Sequence, residues 1–142
     1  LERLVSEYPG SDLVVPARIR QGDLLRLLNQ FAPAQRIYES VINQHPTHGD
    51  VFAAQVALAA CHRALAAGDP SHAESALVIF ERLQDLPAAP VDIRVEAGYQ
   101  LGDLLLQRGE TERAVAVWWG AVNAFLLDPA QAGRLGPAGR YW

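Results

Sequence analysis

The stretch LGDLLLQRGETERAVAVWWGA, Leu101–Ala121, decides how the chain is read. Two amphipathic segments meet at Arg108-Gly109-Glu110. The first carries Leu101, Gly102 and Leu105, and the second carries Ala114, Trp118 and Ala121. Both spacings follow the 3.6-residue period of a helix. The first helix ends at about Arg108 and the second starts at about Thr111. A connection this short makes the two helices antiparallel neighbours.

The same signature recurs upstream. Gln21-Gly22-x₂-Leu25 is followed by Ala34-x₃-Tyr38 and a closing Pro46. A third copy has Ala76-x₃-Phe80 and then Leu83, with Ala60-Cys61 in place of the Leu-Gly half. The paired alanines stand at 34, 76 and 114, steps of 42 and 38 residues. Each hairpin has one apolar face that it cannot bury by itself, so the pairs must stack.

These motifs resemble the tetratricopeptide repeat (TPR) family, whose pattern is W-x₂-L-G-x₂-Y, then A-x₃-F, then P, with a period of about 34 residues. The longer steps mark a divergent member, and the resemblance covers roughly residues 1–128. It implies an all-α fold: a right-handed TPR-like α-solenoid of antiparallel helix pairs. It also implies a protein-interaction scaffold. The turn strings Tyr8-Pro9-Gly10-Ser11, His45-Pro46-Thr47-His48 and Asp69-Pro70-Ser71-His72-Ala73 are similar to turns of periplasmic TPR proteins, such as the TPR lipoprotein of the outer-membrane β-barrel assembly machinery. That similarity implies a bacterial envelope location and a role in holding a multiprotein complex. A TPR subgroup clamps C-terminal carboxylates with Lys, Asn and Arg. Here the clamp Asn positions fall on Asp23 and Asp103, where two acids repel a carboxylate.

The rest of the chain fits around these pairs. Leu1–Glu7 has helical spacing and stops at Pro9-Gly10. Helices are expected over about 13–28, 33–44, 50–67, 71–85, 91–108 and 111–126, broken by Asn29-Gln30, His45-Pro46, Gly68-Asp69-Pro70 and Pro87 to Pro90. In the first, Ile19, Leu24, Leu25, Leu27 and Leu28 make the apolar face. Residues 129–139 are a Gly/Pro/Ala-rich loop, and Gly139-Arg140-Tyr141-Trp142 looks like the start of another helix. The expected organisation is one domain over 1–142, with pairs at about 12–45, 49–86 and 90–127 and partial helices at 1–8 and 137–142. It reads as a piece of a longer array.

Composition limits the function. Half of the 142 residues are hydrophobic and a fifth are charged, which suits a packed core. The net charge of −4 argues against a nucleic-acid partner or an anionic membrane surface. All 12 basic residues are arginine, which fits a GC-rich bacterial genome. No apolar run reaches the roughly 18 residues that span a bilayer. There is no methionine, position 1 included, which points to a processed product or an excised piece, with any leader or anchor outside it. The lone Cys61 sits among alanines as a small hydrophobe.

No catalytic set, phosphate loop or cofactor motif is found, so the chain reads as non-enzymatic. Gly22 and Gly102 read as packing glycines where helices cross closely. His45-x₂-His48 lacks the third ligand that zinc wants. His72 and Glu74 lie on the first turn of a helix and read as capping or solvent residues.

The candidate contacts lie on the first helix of each pair, which lines the concave face in such arrays. They are Arg20, Asp23 and Arg26; Gln55 and His62; and Glu96, Tyr99, Gln100 and Asp103. The alternative for each is a solvated helix face with charges at i, i+3 and i+4. Trp118 takes the core position, and Trp119 points elsewhere, under a further repeat or toward a partner. The expected partner is a protein or peptide held on the concave face. The alternatives are a structural spacer, whose charges pair internally, and self-association through residues 1–8 and 129–142.

Overall fold

The computed structural model describes residues 2–126, and every element in that range is a helix or a turn. The helices are α1 (Glu2–Glu7), α2 (Val14–Leu27), α3 (Phe31–Gln44), α4 (Val51–Leu65), α5 (Ser71–Gln84), α6 (Val91–Gln107) and α7 (Thr111–Leu126). The fold is all-α, with sequential helices packed on one another as in a TPR-like helical repeat. The expected loop at 129–139 and the partial helix at 137–142 lie outside the described residues.

The chain forms two compact units, Leu1–Ala76 and Leu77–Trp142, with the division inside α5. In the first unit α3 packs against both α2 and α4, and α1 leans on α2. Its core is built from Val15, Ala34, Tyr38, Val41, Ala54, Ala57 and Cys61, with Ile19, Leu25, Ile42 and Leu58 packed against it. The alanines of α4 serve close approach: Ala54 and Ala59 are fully buried. In the second unit α6 packs along α7. Leu101, Leu105 and Ala114, the positions that the opening motif singles out, are at most 1% exposed.

The first hairpin of each unit turns by the same device. After α2, Asn29 takes φ 57°, its N–H donates to the Arg26 carbonyl, and Gln30 N–H donates to the Leu25 carbonyl at 2.8 Å. After α6, Gly109 takes φ 78°, its N–H donates to the Leu106 carbonyl, and Glu110 N–H donates to the Leu105 carbonyl at 2.9 Å. Both are helix C-caps in which a left-handed residue lets two donors satisfy the last carbonyls.

The interior of each hairpin also repeats. A Cβ on Gly22 would meet the Tyr38 ring at 2.7 Å, and one on Gly102 would run into the Trp118 indole. Each ring packs directly against a glycine, and each finds an acceptor for its polar atom. Tyr38 Oη donates to Asp23 Oδ1 at 2.7 Å, and Trp118 Nε1 donates to the Tyr99 carbonyl at 3.3 Å. Positions 22, 29, 34 and 38 thus return at 102, 109, 114 and 118, each 80 residues on.

One expectation fails on α2. Leu24, Leu27 and Leu28 are 45%, 79% and 66% exposed, and among the four clustered leucines Leu25 is the one packed on the core. Leucines at 24, 25, 27 and 28 spread over about 160° of the helix circumference, wider than the roughly 100° stripe that a surface helix turns to its core, so one buried stripe does not take them all.

Candidate protein-interaction surfaces

In the first unit, the 3.6-residue period sets Arg20, Asp23 and Arg26 along one side of α2. Arg20 is exposed, while Asp23 and Arg26 are half-buried. Asp23 accepts the Tyr38 hydroxyl, and its Oδ1 lies 3.8 Å from Arg26 Nη1. Burial, and then the bond to Asp23, raise the Tyr38 hydroxyl well above its ordinary pKa, so it stays a donor throughout the physiological range. Asp23 and Arg26 also reach the Cys61 thiol electrostatically, although burial dominates there and pushes it up to about 11. Gln55 and His62 are half-buried on α4.

His62 does not face open solvent. Its Nδ1 lies 2.7 Å from Nδ1 of His72. His72 does lie on the first turn of α5, but the reading of it as a capping or solvent residue is corrected: it is half-buried against α4. The pairing depends on where α5 starts relative to the last turn of α4, which spacing along one helix does not reveal.

In the second unit, Gln100 donates to Glu96 Oε1 at 2.8 Å, and Gln107 donates to Asp103 Oδ2 at 3.4 Å. Tyr99 is 41% exposed and Trp119 is 67% exposed. Trp118 covers Gly102 as the repeat pattern requires, which leaves its neighbour Trp119 outside the core. Arg113 bridges Glu110 in its own turn and Glu81 of α5, at 3.0 Å for the latter.

The sequence reading overlooked the exposed leucines at the end of α2. Four leucines in five positions are the signal that some must stay outside. Two clefts lie away from the predicted contacts. One of about 320 Å³ in the first unit is bordered by Val5, Val14, Arg18, Ser40 and His45. The other, of about 410 Å³ in the second unit, is bordered by Asp85, Arg94, Ala116, Val117 and Gly120. Among the described residues no set of three or more metal-ligating side chains converges, and no helix is long and apolar enough to cross a membrane. His48 Nδ1 instead accepts from the Asp50 N–H at 3.1 Å.

Residues 17–48 match the family model of the tetratricopeptide repeat. The matched segment runs from the first turn of α2 through α3 to the turn at His48, and so includes the Gly22–Tyr38 contact. No curated protein and no solved structure gives a significant match to the chain.

Proposed function

We propose, from the divergent tetratricopeptide repeat that this chain carries at residues 17–48, that it is a non-enzymatic scaffold holding a peptide or partner helix. The repeat supports a protein-interaction module, and it is the observation that carries the reading. Within the first unit the contact surface is the outer side of α2, continued by α4. There Arg20 stands exposed next to a turn of exposed leucines, Leu24 and Leu27. A cation beside apolar side chains suits an amphipathic segment with an acidic residue. In the second unit the separate candidate surface is α6 at Glu96, Tyr99, Gln100 and Asp103, with Trp119 on α7. The resemblance of its turn strings to those of periplasmic TPR proteins favours an envelope location.

The test is selection of peptides from a random display library with the purified chain, followed by calorimetry on those recovered. Arg20→Ala and Leu24→Ala are each expected to weaken binding about tenfold, a loss of ~1.4 kcal/mol, with melting unchanged. Equal affinity in both variants would move the surface elsewhere. Recovery of no peptide would favour the second reading, a structural spacer. That reading has its own support: Asp23, His62, Glu96 and Asp103 all have partners inside the chain.

A further inference from the structure

α4 and α5 meet through two imidazoles. The Nδ1 atoms of His62 and His72 lie 2.7 Å apart, the ring centroids 5.0 Å apart, and the planes are tilted by 34°. At that separation one proton must lie between the two nitrogens, because two bare lone pairs repel and so do two N–H groups. With both rings neutral, one Nδ1–H donates and the other Nδ1 accepts. A first added proton makes the donor ring a cation and strengthens the bond. A second puts N–H groups on both facing nitrogens, abolishes the bond and sets two cations against each other.

We propose that the His62–His72 pair is a proton-operated latch between α4 and the first turns of α5, closed at neutral pH and opened when the second imidazole is protonated.

The surroundings set the direction. Glu39 on α3 favours the His62 cation, and Asp69 in the α4–α5 turn is the acid near His72. Arg63 and Glu74 flank the pair in sequence and are already engaged in interactions of their own. Asp23 and Arg26 of α2 act on the adjacent Cys61. Burial, and then the charge of His72, outweigh Glu39 and hold the His62 pKa below its ordinary 6.5. The unfolded chain therefore takes up this proton before the folded one does. The stabilisation that neutral His62 contributes is present above about pH 6.5 and is lost as pH falls through the lower folded value.

The start of α5 does not share this sensitivity. Asp69 Oδ1 accepts the Ser71 N–H at 3.0 Å, and that bond holds the Asp69 carboxyl below its usual range. The cap stays charged across the window in which the histidines titrate. Acid thus releases the contact with α4 without uncapping α5, and the turns that have lost that contact open more often.

The experiment is a titration of the imidazole nitrogens by NMR on the whole 142-residue chain between pH 8 and 4.5, with amide hydrogen exchange read at residues 71–76. His62 and His72 are expected to titrate as a coupled pair in two steps. Exchange at 71–76, corrected for its intrinsic pH dependence, is expected to rise about tenfold between pH 7 and 5. In His72→Gln, and separately in His62→Gln, the remaining histidine is expected to titrate in one step, and the acid acceleration is expected to vanish. Two independent single-step titrations in the wild type, or exchange at 71–76 that ignores pH, would overturn the proposal. The wild-type readings decide it even if a variant folds poorly.

Discussion

Gly22 and Gly102 are the residues on which the hairpins depend. Each leaves a space that an aromatic ring from the next helix fills, and the ring's polar atom then reaches an acceptor on the glycine's own helix. Tyr38 is fully buried and tethered to Asp23, so its ring has no room to swing away. Gly22→Ala is therefore expected to destabilise the first unit by about 1–3 kcal/mol through overpacking. The ~1 kcal/mol gained in helix propensity offsets part of that. Urea unfolding followed by far-UV circular dichroism checks it; an unchanged midpoint would show that the ring adjusts freely. The packing role of these glycines was legible in the sequence, because a Leu-Gly pair and an Ala-x₃-aromatic string on consecutive helices leave few other arrangements. The use of Asp23 was not. An acid on a polar helix side reads as a solvent or partner contact until the ring beneath it is in place.

At the scale of elements, α2 and α6 end in the same cap with different residues. Asn29 holds a positive φ at a cost that Gly109 does not bear, since only glycine lacks the Cβ that crowds the left-handed region. Asn29→Gly is expected to stabilise the first unit by roughly 0.5–1 kcal/mol, seen as a higher urea midpoint. A fall would mean that the Asn29 side chain contributes more than its backbone strain costs. The helix spans themselves were legible within about two residues at most ends, because Pro and Gly punctuate nearly every turn. The facing of α2 was harder to read. Its leucines crowd the C-terminal half, where helical period alone does not say which of them turns inward. The meeting of His62 with His72 was out of reach for a related reason, since the tight α4–α5 turn sets which rings oppose each other.

For the molecule as a whole, the 80-residue return of the same glycine, cap, alanine and ring shows one hairpin design used in both units. An internal repeat of this kind could be read without homologues, because the comparison lies within the chain. What a partner looks like could not be read. The residues that make the hairpin are those the repeat demands, whereas the exposed side chains of Arg20 and Trp119 lie outside that pattern, so nothing in it fixes what they meet.

The single thiol gives the first unit a chemical clock. Cys61 has no exposed surface, and its proton is held to about pH 11, so alkylating reagents meet neither an accessible sulfur nor a thiolate. Modification must wait for the α2–α4 core to open. The rate of iodoacetamide labelling in buffer, divided by the rate in denaturant, is therefore expected to give the open fraction of that core directly. A rate near that of the unfolded chain would contradict the burial. Since the chain has one cysteine, every adduct counts one opening, with no second site to confuse the tally.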